Sequence, residues 1–357
     1  MQLVNYAAWI PSEKARLEVG TSPFPTHVAA DEIVIKNHAV AVNPVDWKIQ
    51  VSGGFGLRYP YILGDDVAGE VVEVGAAVKA AGTFKPGDRV IAHALGLGAN
   101  NPQYGGFQLY PKLKIVTAAK IPDDIPPWNA VVLPLSVSTA AAGLYLKTNL
   151  GLKLPSVKTS TSSDIDIDSK PPPTLLLWGG SSSVGSSVIQ LAVASGYRVI
   201  ATASPSNYGY VKALGAALVL DYHNPDIETL LIAVLRAEGS GPLAGAYDAI
   251  GSEATVSVSA RIVHALGGGR VTSVISIPSQ PPHDVTTTRI SSAAIVTQEE
   301  GRVARKVWGE FVPAALRTGV LKPRPDELIV GRGLYFVQAG LDKQREGVSA
   351  RKVVVTL

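Results

Sequence analysis

In the run WGGSSSVGSSVIQLA, Trp178 to Ala192, three glycines, Gly179, Gly180 and Gly185, bracket a serine triplet. Glycines between a strand and a helix leave backbone N–H groups open to an anion, and the helix that follows presents the positive end of its dipole. The chemistry this serves is the holding of a dinucleotide pyrophosphate, with Ser181, Ser182 and Ser183 adding hydroxyl donors and Val184 in the same turn. The spacing is not GxGxxG, so the loop by itself reads equally well as a tight turn. Further on lie Thr202, Ala203, Ser204, Pro205, Ser206 and Asn207. An NAD site usually presents Asp or Glu there to the ribose hydroxyls, and that carboxylate would repel the extra phosphate of NADP. Here small donors stand in its place, Ser204 and Asn207 among them, with Lys212 and Tyr222 as further candidates, so NADPH is the expected cofactor. The plainer reading of Ser204 to Asn207 is a helix-capping turn, and both readings are compatible.

The flanking segments supply the context that the loop needs. TLLLWG is an apolar run of strand length, VGSSVIQLAVAS a helix with small residues on one face, and YRVIATAS a second strand. Three more helix–strand repeats follow: YGYVKALG with ALVLDY, IETLLIAVLRA with AYDAIG, and ATVSVSARIVHAL with GRVTSVIS. Alternation of this kind predicts a doubly wound parallel sheet covered on both faces, and it makes dinucleotide binding the preferred function of the loop. Ahead of it, EIVIKNHAVAV, DVAGEVVEVG, DRVIAHALG and GGFQLYPKLKIV are short β-type runs divided by Gly and Pro, as in an all-β, barrel-like domain. A helix is expected from Pro126 to Leu146, and the polar stretch LPSVKTSTSSDIDIDSKPPP is expected to be a surface loop. RVARKVWGEFVPAALRTG predicts another helix, and RKVVVTL a terminal strand that rejoins the N-terminal β domain.

At 357 residues the chain suits two domains, because single cores stop growing at about 250 to 300 residues. It has no cysteine, which excludes disulfides, thiol nucleophiles and thiolate-bound zinc. Its six histidines, His27, His38, His93, His223, His264 and His283, include no pair at local metal-ligand spacing, so no metal is expected. Acidic and basic residues nearly balance and are scattered, and no apolar run approaches the roughly 20 residues of a membrane span. Nucleic acid and membrane are therefore not expected as partners. With no secretory leader in MQLVNYAAWIPSEKARLEV, a cytoplasmic location is expected.

Over nearly its full length the chain resembles the medium-chain dehydrogenase/reductase family. The motifs carrying the resemblance are NPVDWK (43–48), GDDVAGEVVEVG (64–75), KPGDRV (85–90) and GGFQLY (105–110), followed by the nucleotide fold. It implies an α/β chain with a GroES-like β-barrel catalytic domain over 1–133 and 303–357 and an NADP-binding Rossmann domain over 134–302. Zinc alcohol dehydrogenases of the family place a metal-binding histidine and a glutamate after the glycine where this chain has Asp65 and Asp66. The zinc-free branch of quinone and enoyl reductases is thus implied. SPSNYGYVKALGA, the Asp221–Tyr222 pair and the proline-rich insertion are most similar to fungal trans-acting enoyl reductases of polyketide synthesis.

That resemblance implies an NADPH-dependent reductase of an α,β-unsaturated thioester or ketone, either a small molecule or carried on an acyl carrier protein of a polyketide synthase, and a monomer rather than a dimer. Lys48 and Thr139, in the matching contexts NPxDxK and STA, are the candidate catalytic residues, since donors near a developing enolate oxygen lower the barrier. A surface lysine closing a turn and a helix hydroxyl bonded to its own backbone are the ordinary alternatives. Asp46 is read as fixing its loop, and Asp65 and Asp66 as a solvated turn, outside the catalytic set. Two other functions remain open at this level: a quinone or free-enone reductase, and an NADPH-binding relative whose redox chemistry is lost or changed.

Overall fold

The computed structural model describes residues 4–54, 56–157, 171–237 and 241–357. They fall into two compact units, Met1–Leu135 with Lys322–Leu357, and Ser136–Leu321.

The Ser136–Leu321 unit is built on six parallel strands. From edge to edge they are Leu218–Asp221, Arg198–Ala203, Thr174–Trp178, Leu243–Asp248, Gly269–Ser273 and Val285–Arg289. Counted along the chain the order is 3-2-1-4-5-6, the doubly wound dinucleotide arrangement, whose point of reversal lies at the first strand. TLLLW is buried at every position, as a central strand covered on both faces must be. Helix Ile227–Arg236 turns Ile227, Leu231 and Leu235 inward at four-residue spacing, and they join Leu176, Ile200 and Val271 in one core. The sixth strand, VTTTR, is an edge strand of mixed burial, and its threonines and arginine hide it from a search for apolar runs.

Helical residues 302–318, π-helical over Arg305–Phe311, also belong to this unit. That corrects the sequence-based boundary, which placed 303–357 with the β domain. Val303, Val307, Trp308, Phe311 and Val312 are all buried, and Trp308 Nε1 donates to Ser138 Oγ at 3.0 Å. The change of unit comes only at Leu321/Lys322.

In the other unit a seven-stranded sheet runs Asp326–Arg332, Arg351–Thr356, Glu32–Ala41, Asp66–Val74, Arg89–His93, Ala118–Lys120, with Lys112–Lys114 also paired to Glu32–Ala41. The terminal strand does rejoin this unit, antiparallel to Glu32–Ala41. A smaller sheet joins Glu18–Ser22, Asn5–Ile10 and Tyr61–Ile62. Ile33, Ile35, Val67, Val90, Val353 and Val355 pack its core, each worth about 1.5–3 kcal/mol when fully buried. The helix expected over Pro126–Leu146 is two helices, Pro127–Ala130 and Pro134–Tyr145. Pro134 has no N–H to continue the first and disfavours helical backbone at Leu133, yet suits the first turn of the second. The polar stretch expected to be a loop lies, over 158–170, outside the described residues.

Candidate functional site

The glycine loop follows the first strand of the parallel sheet. Gly179 has φ +84°, and a Cβ there would stand 2.6 Å from the Ile250 side chain. At Gly185 a Cβ would lie 2.2 Å from the Gly179 carbonyl oxygen, so a side chain would displace the loop itself. Ser182 caps helix Ser183–Ala194: its Oγ accepts from Gly185 N at 3.0 Å and donates to Gly179 O at 2.9 Å. Ser183 and Val184 are then the first helical positions, whose N–H groups have no acceptor within the helix. Residues 181–184 are half-buried, so those N–H groups lie within reach of an anion.

Neighbouring residues hold the loop in place. Thr202, fully buried in the second strand, accepts from Gly179 N through Oγ1 at 3.0 Å and from Gly180 N through its carbonyl at 2.8 Å. Ser186 Oγ lies 2.7 Å from Tyr210 Oη. Thr202 was read in the sequence only as part of the segment beside the ribose and not as an anchor of the glycine loop, and Tyr210 was not singled out; a polar residue inside RVIATA was the available signal. Where the ribose would be read, Ser204 Oγ is 3.0 Å from Tyr222 Oη, and Asn207 N donates to Ser204 O at 2.9 Å to close the turn. The nearby acid, Asp221, is bound to His223 through Nδ1 at 2.7 Å and through the backbone N at 3.0 Å. Those bonds lower its pKa and engage one of its two oxygens, Oδ1. The loop therefore fits a dinucleotide pyrophosphate, with the hydroxyls of Ser204 and Tyr222 paired at the turn after the second strand.

Lys48 rides on helix Pro44–Ser52 in the other unit. It is half-buried, burial lowers its pKa, and among the described residues it makes no ion pair; the Trp47 ring lies 5.7 Å from its Nζ. The start of its helix is fixed by buried charge. Asp46 accepts from Asn43 N at 2.8 Å and from Gly64 N at 3.1 Å, tying the helix to the GDDVAG strand. Asp66 accepts from Asn43 Nδ2 at 2.8 Å, from Leu135 N at 2.5 Å and from Lys352 Nζ at 2.8 Å, and Lys352 also donates to Asn43 Oδ1. Asp65 and Asp66 are thus buried, contrary to the solvated turn expected of them, because a buried lysine from the terminal strand offsets their charge. Sequence reading missed Lys352; the signal was a lysine interrupting the inward-facing run RKVVVT.

One cation for three buried carboxylates leaves protons bound. Burial, with the Asp66 charge adding to it against the Asn43 N–H, pushes Asp46 up to about 7. Burial and then the charges of Asp46 and Asp66 hold Asp65 well above the carboxylate range. His93, 4.0 Å from Asp65, is pushed down to about 4 by burial, so the contact joins neutral groups and is not an ion pair. These residues do not fit a zinc site: Asp46 and Asp66 are spent on N–H donors and Lys352, and no metal-holding group of three or more acids and histidines occurs among the described residues.

Thr139 lies on helix Pro134–Tyr145 in the nucleotide-sheet unit. It is half-buried, and its carbonyl accepts from Tyr247 Oη at 2.9 Å. The glycine-loop residues and the Ser204–Asn207 turn with Tyr222 each form a local group, while Lys48 and Thr139 are positioned by the packing of different units.

Comparison with known proteins agrees with this architecture. Residues 29–123 match the alcohol dehydrogenase GroES-like domain. The trans-enoyl reductase himH of Aspergillus japonicus is 40% identical over 358 residues, 99% of this chain and 98% of that one. The crystal structure of CurK enoyl reductase superposes with TM-score 0.74 at 18% identity, covering 99% of both chains. Mycobacterial Rv1454c, solved in complex with NADPH, superposes with TM-score 0.69 at 22% identity, covering 99% of this chain and 100% of that one. With a relative this similar along its whole length, the chain belongs to the medium-chain dehydrogenase/reductase family, alongside the fungal trans-enoyl reductases.

Proposed function

We propose that the protein is an NADPH-dependent, zinc-independent enoyl reductase that saturates the C=C bond of an α,β-unsaturated thioester or ketone of the kind formed in fungal polyketide assembly. The observation that carries the reading is Lys48: a half-buried cation, without an ion pair among the described residues, on a helix whose first turn is locked by Asp46, Asn43, Asp66 and Lys352. Fixing a cation in this way costs little reorganisation when charge develops on a substrate oxygen. The bound dihydronicotinamide supplies the hydride. Gly179 to Gly185 hold the pyrophosphate through backbone N–H groups, and Ser204, Asn207 and Tyr222 receive the 2′-phosphate. Lys48 donates to the carbonyl oxygen on which the enolate charge gathers, and its burial-lowered pKa strengthens it as a donor. Thr139 adds a hydroxyl donor to the substrate or nicotinamide.

The test is turnover of a 2-enoyl thioester by Lys48→Ala. Loss of one placed donor is expected to lower kcat by about 10²–10³, with the NADPH Kd changed much less. Unchanged turnover would remove Lys48 from catalysis. A wild-type protein that oxidises NADPH with quinones and not with enoyl thioesters would be a quinone reductase instead.

A further inference from the structure

We propose that a groove within the Met1–Leu135/Lys322–Leu357 unit is a second ligand site, one that takes a small phosphorylated molecule bearing a flat ring, such as an adenosine phosphate. The groove has a volume of about 510 Å³, within the range of small-ligand pockets, and every residue lining it belongs to this one unit. Lys36 and His38 reach it from strand Glu32–Ala41, Arg332 from strand Asp326–Arg332, and Trp128 from helix Pro127–Ala130.

Charge is the first argument. No lining residue has a carboxylate side chain, and Lys36 and Arg332 are both exposed without a hydrogen bond or ion pair among the described residues. Elsewhere in the unit Lys114, Lys120 and Lys352 are all engaged with carboxylates, and Arg89 with backbone carbonyls. Two carboxylates are close by, the α-carboxylate of Leu357 in the lining and Glu70 beside Lys36 on the neighbouring strand, and neither makes an ion pair with Lys36 or Arg332 among the described residues. Two cations on strands of one sheet, Glu32–Ala41 and Asp326–Arg332 with Arg351–Thr356 between them, suit a phosphate, which an arginine grips with two parallel N–H bonds.

Ring recognition is the second. Trp128 is 42% exposed, whereas Trp178 and Trp308 are buried and Trp9 and Trp47 half-buried. An indole left open beside unpaired cations is a stacking platform for a base. Asn37, also in the lining and only 2% exposed, is held by its amide N–H groups, which donate to Gly106 O and Gln108 O and fix the strand between Lys36 and His38. Two cations and one indole are too few to follow a nucleic-acid strand, so the site is matched to a single small molecule.

Calorimetric titration with ADP, with and without saturating NADPH, tests this. Wild-type protein is expected to retain one ADP site that NADPH does not displace. Lys36→Gln and Arg332→Gln are each expected to weaken that site by about tenfold or more, the scale of one charge-assisted hydrogen bond, and Trp128→Ala to weaken it as well. All three side chains lie at the surface, and unchanged circular dichroism would confirm that the variants fold. Complete displacement of ADP by NADPH, or an NADPH-resistant site unaffected by these substitutions, would overturn the inference. Inorganic phosphate binding as tightly as ADP would overturn the ring recognition. Absence of NADPH binding alone would count against the proposed function and leave this groove standing.

Discussion

Lys352→Met tests the buried charge network that positions Lys48. The substitution keeps most of the side-chain volume and removes the cation that pairs with Asp66, which is fully buried. Breaking a buried pair by deleting one partner costs about 3–5 kcal/mol. Asp66 keeps two neutral donors, Asn43 Nδ2 and Leu135 N, so the lower end, about 3 kcal/mol, is expected. Against the 5–15 kcal/mol that typically separates folded from unfolded, this is a large fraction, and it corresponds to a fall in Tm of about 6–12 °C for a unit of this size. Urea unfolding at pH 7, followed by tryptophan fluorescence, measures it. Asp66→Asn combined with Lys352→Met is expected to recover much of the loss, since the uncompensated charge is then gone. A loss below about 1 kcal/mol in Lys352→Met, with no coupling to Asp66→Asn in the double-mutant cycle, would show that the network does not hold this region.

Gly185→Ala is expected to weaken NADPH binding at least about tenfold, because its Cβ would meet the Gly179 carbonyl oxygen and shift the phosphate loop; fluorescence titration measures it. Asp46 gives a pH signature. Its folded pKa, about 7, stands above the ordinary 3.8, so the folded state holds the extra proton between those values, and stability falls as pH rises from about 4 to 7. Asp46→Asn is expected to flatten that slope in urea titrations across the same window. Ser204→Asp is expected to weaken NADPH binding and spare NADH, since a carboxylate in that turn repels the 2′-phosphate; comparison of the two Kd values decides it.

The doubly wound sheet was legible in the sequence because parallel strands buried on both faces leave unbroken apolar runs such as TLLLW, with glycine turns between strand and helix. VTTTR escaped for the opposite reason, as an edge strand needs no apolar run. The boundary near residue 303 was misplaced because RVARKVWGEFVPAALRTG is legible as a helix, but what its buried face packs on is a tertiary fact. Gly185 was legible as part of the turn, but Ser182, read as a hydroxyl donor to the cradle, instead caps the helix and donates to Gly179 O, a role that depends on how the loop folds back on itself. The burial of Asp65, Asp66 and Lys352 was not legible: a solvated acidic turn and a buried pair offset by a lysine nearly three hundred residues away look alike until the terminal strand is placed beside Glu32–Ala41. Nor was the Lys36–Trp128–Arg332 groove, whose residues come from three distant segments.

The most direct measurement of the central claim is a titration with NADPH and NADH followed, in the same sample, by addition of a short 2-enoyl thioester. Tighter binding of NADPH than of NADH, with NADPH oxidation that depends on the thioester and yields the saturated product, is the predicted result. NADPH binding with no oxidation by the enoyl thioester would contradict the assignment as an enoyl reductase and leave only the cofactor site correctly identified.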